Sequence, residues 1–286
     1  MPKIENKTSI AILMATYNGE KYLREQIDSI LCQTNRDWTL YIQDDGSKDA
    51  TLEIIKSYDD ERIVLVDVGL TRQGACMNFM SLLNMVESEY YMFCDQDDVW
   101  FVDKVEKSLE RMKESECIKN GKNVPIIVHT DRTHTDAELN VRLKSEFNPR
   151  NVSMQKVKEK IDKLKNPNIL AIYTIVGGCT MLINREVKRV VLPFINVRVH
   201  DSICAMAVAN SGGVIETILE PTMYYRLHST NTCGVSDSRL LPKVLNIVDS
   251  VRRNMRGYYL WKIYGKNGFF KFLYYRVKYF LILRLY

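Results

Sequence analysis

Apolar and polar positions along this chain fall into short runs that alternate between two periods. Residues 9–15 form a nearly unbroken apolar run of strand length, and residues 20–31 then put Tyr22, Leu23, Ile27, Ile30 and Leu31 on one helical face. The same alternation predicts strands over 38–43, 62–66 and 90–94, with helices over 50–58 and 75–86 between them. Strands separated by helices of this length imply βαβ crossovers and a mostly parallel sheet. Ligands on such sheets bind beyond the carboxyl ends of the strands. The polar residues after the first, second and fourth strands are Thr16-Tyr17-Asn18-Gly19, Asp44-Asp45-Gly46-Ser47 and Asp95-Gln96-Asp97-Asp98. They are expected on one rim, facing a common crevice.

The second half is less regular. Residues 148–168 are polar, lysine-rich and bounded by Pro149 and Pro167, which fits a mobile loop or an exposed helix. Strand-like runs return at 172–176, 179–183, 214–218 and 222–225, with a helix over 201–209. The chain shows no internal repeat and no low-complexity tract.

At 286 residues, 46% of them hydrophobic and 26% charged, the chain is long enough for one large α/β domain with a sizeable core. Its net charge of +5 is unevenly spread: the stretch from Arg252 to Tyr286 holds nine basic residues and no acidic one. The remainder carries 31 basic and 35 acidic residues, a net charge of −4. An acidic body with a basic end argues against nucleic acid as the partner. The seven cysteines are scattered singly, without zinc-ligand spacing, and fit a reducing compartment. Neither a signal peptide nor an uninterrupted spanning segment is read, so a cytoplasmic protein is expected.

Among the chemical signals, Asp95, Asp97 and Asp98 stand out. Three carboxylates within four residues at a strand end repel one another unless a cation neutralises them, and oxygen ligands suit Mg²⁺ or Mn²⁺. A plain turn is the competing reading. Asp44-Asp45-Gly46 and Asn18-Gly19 likewise fit either turns or ligand contacts.

Taken together, SIAILMATYNGEKYLREQIDSILCQT, LYIQDDGSKDAT and YYMFCDQDDVWFVDK closely resemble the family 2 glycosyltransferases of the GT-A fold, and within them the bacterial rhamnosyltransferase-like members. The resemblance is dense over about the first hundred residues and resumes at Val176-Gly177-Gly178, His200-Asp201, Tyr225-Arg226-Leu227-His228 and Asn231. It implies a Rossmann-like, mostly parallel sheet flanked by helices over residues 1–235, followed by a helical segment over 236–286. It also implies a sugar moved from a nucleotide-diphosphate donor to a hydroxyl of a glycan or lipid-linked glycan, with inversion.

By the same resemblance Thr16, Tyr17, Asn18, Asp44, Asp45 and Asp97 hold the donor nucleotide, and Asp97, Asp98 and His228 hold Mg²⁺ or Mn²⁺. Asp95, Trp100, Gly177, Gly178 and His200 fall to the sugar or acceptor site. Asp201 matches the general base, although the family's usual Glu before it is His200 here. Helix capping is the other reading of Asp201, and Gly177-Gly178 also fits a strand bulge. His129 and His134 receive no role. A sugar-nucleotide pyrophosphorylase would need a Gly-rich, Arg-containing loop where ATYNGEKY stands, and a non-catalytic scaffold would have lost Asp98 or Asp201.

The basic end also carries twelve aromatic residues. Lys and Arg beside Tyr, Trp and Phe suit a helix lying on an anionic membrane, so attachment to the inner face of the cell membrane is expected. Packing of this segment on the core is the competing expectation.

Overall fold

Nine strands form one curled, mixed sheet among the residues that the structure, a computed structural model, describes: 3–67, 69, 72–118, 123–170, 174–192, 200–228 and 269–285. The first half of the chain follows the expected βαβ rhythm, with a separate two-stranded sheet formed by residues 4–5 and 86–87. Strand β1 (Ile4–Glu5) is followed by β2 (Ile10–Thr16), α1 (Leu23–Leu31), β3 (Trp38–Asp44), α2 (Thr51–Lys56) and β4 (Ile63–Leu65). Next come α3 (Ala75–Met85), β5 (Val86–Glu87), β6 (Tyr90–Asp95), β7 (Val99–Trp100) and α4 (Lys104–Ile118). The second half adds β8 (Ile126–Thr135), β9 (Val141–Leu143), α5 (Met154–Leu164), α6 (Pro167–Leu170), β10 (Met181–Asn184), α7 (Arg185–Val191), α8 (His200–Asn210), β11 (Val214–Arg226) and α9 (Phe269–Leu285).

In space the sheet runs β4-β3-β2-β6-β10-β8-β11-β7, with β9 beside β8. The pairs among β4, β3, β2 and β6 are parallel, as is β8 with β11, whereas β10 is antiparallel to both β6 and β8. Both faces are covered, which is why β2 and β6 read as continuous apolar runs. Ala11, Leu13, Tyr91 and Phe93 face a core built with α3, α7 and α8; Ile10, Ile12, Met92 and Cys94 face another built with α1 and α4. Successive residues of one strand thus feed opposite layers.

The irregular half follows expectation in part. Residues 148–168, expected as a mobile loop or an exposed helix, hold the amphipathic helix α5, which turns Val157, Ile161 and Leu164 inward. Residues 174–176 are not a strand, and 172–173 lie outside the described residues. The run at 179–183 starts as a single 3-10 turn, Gly178–Thr180, before β10. The two expected strands over 214–225 are one strand, β11, whose register shifts around Pro221 because proline cannot donate to the ladder. The expected boundary at 235/236 lies outside the described residues. Of the described cysteines, Cys94, Cys179 and Cys204 are buried.

Candidate active site

Strand register builds the rim. Thr16 is level with Asp44 across β2 and β3, and Ala15 with Asp95 across β2 and β6, so three loops leave the sheet at one height. Hydrogen bonds join these loops. The Asn18 amide donates to Ser47 Oγ (2.8 Å), Asn18 Oδ1 accepts from the Lys48 amide (2.9 Å), and Gln96 both accepts from the Tyr17 amide (2.9 Å) and donates to the Tyr17 carbonyl (3.0 Å). Asn18 has φ +47°, a left-handed conformation that Asn tolerates better than most residues. The convergence expected from the strand order is present.

Within this rim Asp44 and Asp45 spend their carboxylates on the chain itself. Asp44 accepts from the amides of Gly46 and Ser47 and from the Thr16 hydroxyl, at 2.8–3.0 Å. Asp45 accepts from the amides of Gln73 and Gly74, both at 2.9 Å, where α3 begins. Thr16 is buried, whereas Tyr17 leaves half its surface exposed at the rim.

Asp98 is fully buried. Its Oδ1 accepts from the Arg226 amide at 3.1 Å, and its Oδ2 has no hydrogen-bond partner among the described residues. Burial raises its pKa, and the neighbouring carboxylates of Asp97 and Asp95 raise it further. Burial likewise pushes Asp95 up to about 7, with Asp97 adding to the effect and Arg132 opposing it. Ligand atoms of Asp95, Asp98 and Cys179 lie within 4.8 Å of one another. An orphaned buried oxygen beside a second carboxylate fits a hard divalent cation. The Cys179 thiol does not: burial pushes its pKa well up, and sulfur suits softer metals. Asp97 pairs instead with His228, whose Nε2 lies 2.8 Å from Oδ2.

Arg226 connects these groups. It is 2% exposed, its Nε donates to the Asp97 carbonyl at 2.9 Å, its other nitrogens reach Glu25 and the Ala137 carbonyl, and its guanidinium lies over the Tyr22 ring.

Asp201 sits in the first turn of α8 and accepts from the Ser202 amide and hydroxyl. Burial raises its pKa; the bonds from Ser202 and Gly178 and the charge of Arg132 pull it back. Arg132, on β8, was not singled out by the sequence, yet its charge acts on Asp95, Asp98 and Asp201 alike. It donates through Nε to Glu146, lies 3.7 Å from Cys179 Sγ, and stacks 4.1 Å from the Tyr225 ring centroid. Despite burial, bonds from His134 and Arg132 hold Glu146 down at about 2. Replacing Arg132 with Met is therefore expected to move the acidic limb of the pH–rate profile upward, because a cation that favours carboxylate Asp201 is lost. Arg132→Lys should restore part of that shift; a profile unmoved by Met would exclude this coupling.

Three expected sugar-site residues turn out to be packed. Trp100 is 2% exposed in the core with Val105, Leu109 and Met223. The His200 ring lies 4.6 Å from Phe79 and 4.9 Å from Phe93, and burial lowers its pKa to about 4, so it is neutral at physiological pH. Gly178 lies against that ring: a Cβ there would come within 2.7 Å of His200 Cε1. Gly178→Ala should consequently destabilise the fold by about 1–3 kcal/mol, and pairing it with His200→Ala should recover much of the loss in denaturant melts. Additive losses would refute the contact. Gly177 lies against Arg132, where a Cβ would approach Nη1 to 3.3 Å.

A mostly parallel sheet with its carboxylates at the strand ends and a half-buried acid on a facing helix defines a GT-A-type α/β protein. The chain belongs to glycosyl transferase family 2, whose model matches residues 11–187. TuaG of Bacillus subtilis, named for teichuronic acid biosynthesis, is 30% identical over 63% of this chain and 64% of its own length. The dTDP-rhamnosyl transferase RfbG of Shigella flexneri is 36% identical over 34% of this chain and 36% of its own. The UDP-Glc:alpha-D-GlcNAc-diphosphoundecaprenol beta-1,3-glucosyltransferase WfgD of Escherichia coli is 31% identical over 36% of this chain and 40% of its own. The chain thus matches between about a third and two thirds of the length of these relatives.

Among solved structures, S. aureus TarS with UDP-GlcNAc superposes with a TM-score of 0.58 at 16% identity, covering 87% of this chain and 66% of that one. The mannosyltransferase PcManGT from Pyrobaculum calidifontis, in complex with GDP-Man and Mn²⁺, gives 0.53 at 15% identity, covering 78% of this chain and 58% of that one. At these identities the likeness is one of fold.

Proposed function

We propose that this chain is an inverting, metal-dependent glycosyltransferase that moves a sugar from a nucleotide-diphosphate donor to a hydroxyl of a lipid-linked surface glycan, working at the cytoplasmic face of a membrane. The observation that carries it is the rim on which three strand-end loops meet, Asp95 and Asp98 standing at the end of one of them, with Asp98 Oδ2 buried and without a hydrogen-bond partner among the described residues and Asp201 under the charge of the same Arg132. Tyr17 offers an exposed ring for the base, and Asp44, Asp45 and Thr16 act by fixing the loop that receives the nucleotide. Asp98 and Asp95 would hold Mg²⁺ or Mn²⁺ with Asp97 and His228 beside them, and the cation would supply positive charge against the leaving diphosphate. Asp201 takes the proton from the attacking hydroxyl, a role that its raised pKa suits better than an ordinary carboxylate's would. Attack opposite the leaving group needs no covalent intermediate and inverts the anomeric centre.

Rhamnose is the sugar favoured by the resemblance and by RfbG, a dTDP-rhamnosyl transferase by name; WfgD's name supports a lipid-diphosphate acceptor. Purified protein with Mn²⁺ and a panel of dTDP-, UDP- and GDP-sugars should release diphosphate nucleotide from one class in the presence of a lipid-diphosphate glycan. Release that is equally fast in chelator would remove the metal from this reading. No release from any donor would favour a scaffold.

A further inference from the structure

Helix α9 is apolar on two opposite sides. Phe272 and Ile282 are 3% and 5% exposed, and with Tyr275 and Tyr279 they pack on the body, Ile282 and both tyrosines joining Leu164 of α5 and Ile169 of α6. At 100° per residue these four positions form one stripe. Phe270, Leu273, Tyr274, Val277 and Leu281 form the other; they are 84%, 45%, 60%, 54% and 54% exposed. Lys271 and Lys278 border that outer stripe on one edge and Arg276 on the other. No acidic residue occurs from Arg252 onward, and α5, beside the helix, exposes Lys156, Lys158 and Lys163 against Glu159 and Asp162.

We infer that the outer face of α9 is the surface that seats the protein on an anionic lipid bilayer, with its rings and aliphatic side chains in the headgroup boundary and its cations on lipid phosphates. This deepens the membrane reading given above. Among the described residues no helix is long and apolar enough to cross a membrane, so α9 lies on the bilayer rather than through it. Charge selects lipid over a second copy. A symmetric contact through this face would bring like cations together, whereas anionic headgroups complement both edges. The inner stripe ties the helix to the body, so docking fixes the body's attitude to the bilayer as well as its proximity.

The test uses the full chain and vesicles of phosphatidylglycerol mixed with phosphatidylcholine, compared with phosphatidylcholine alone, in flotation. Wild-type protein should bind the anionic vesicles, and Phe270→Ser/Tyr274→Ser/Leu281→Ser should bind them roughly tenfold more weakly or worse, with an unchanged circular dichroism spectrum. Lys271→Glu/Lys278→Glu, a second variant with no loss of apolar surface, should weaken binding at low salt most. If wild type binds and both variants bind equally well, the membrane reading stands and this face is overturned. If wild type does not bind, both fall. A wild-type dimer in light scattering that the triple-serine variant dissolves would assign the face to a second copy and overturn the lipid assignment.

Discussion

Asp201→Asn is expected to lower sugar transfer by about 10²- to 10⁴-fold, the usual contribution of a positioned general base. Donor affinity should stay near the wild-type value, because no predicted donor contact is touched. Asn keeps the oxygen that accepts from the Ser202 amide and hydroxyl, so the start of α8 is preserved and a capping loss is separated from a proton-transfer loss. The wild-type rate should rise with pH through the Asp201 pKa, which burial raises above the ordinary 3.8, and the acidic limb should therefore lie above the usual carboxylate range. Kinetics at saturating donor, with nucleotide binding measured in parallel, decide the matter. A variant that keeps most of its rate would make Asp201 a helix-start residue and send the search for the base elsewhere.

The parallel half of the fold was legible because both of its faces are buried. Apolar runs of strand length alternating with helical stripes leave little choice of element, and the level ends of β2, β3 and β6 follow from parallel register. The polar half was not, and β8 shows why. Its sequence from His129 to Thr135 carries no apolar residue, yet most of it is buried. Several of its polar groups are satisfied by partners distant in sequence: His129 Nε2 by Thr217 at 2.8 Å, Thr130 by Thr222 at 2.7 Å, and Asp131 by the amides of Glu146 and Phe147, whereas His129 Nδ1 and Thr135 Oγ1 have no hydrogen-bond partner among the described residues. Periodicity detects strands that bury apolar surface, and this one buries a hydrogen-bond network.

The same limit hid two of the site's three long-range supports. Arg132 received no role from the sequence, and only the sheet order brings it to Asp95 and Asp201. Arg226 entered the sequence reading as the context of His228, but its amide and guanidinium hold Asp98 and Asp97 across more than a hundred residues of chain. His228 was expected as a metal ligand, and its ring meets Asp97. Trp100 and His200 carried the opposite risk. An aromatic residue beside an acidic motif and a histidine before the base invite functional readings, and both side chains are occupied by packing.

Asp98→Asn is expected to abolish metal-stimulated transfer while raising the melting temperature of the metal-free protein, two effects that point in opposite directions and come from one buried oxygen. In the folded chain the pKa of Asp98 is raised by burial and then by Asp97 and Asp95, and Asp95 reaches about 7 against an ordinary 3.8. A carboxyl whose pKa is higher folded than unfolded takes up a proton on folding. Its stabilisation is fully present below the unfolded pKa and is lost as pH rises through the folded one. Without metal, the wild type should therefore lose stability from roughly pH 4 towards neutrality, and the variant should lose less. Mn²⁺ or Mg²⁺ binds the deprotonated pair, so it should raise the wild-type melting temperature, more at neutral than at acid pH, and leave the variant unmoved. Thermal melts at several pH values, with metal and with chelator, provide the comparison. A variant stabilised by Mn²⁺ as strongly as wild type would shift the cation from Asp98 to the Asp97–His228 pair, and one that also kept its transfer activity would remove Asp98 from the chemistry.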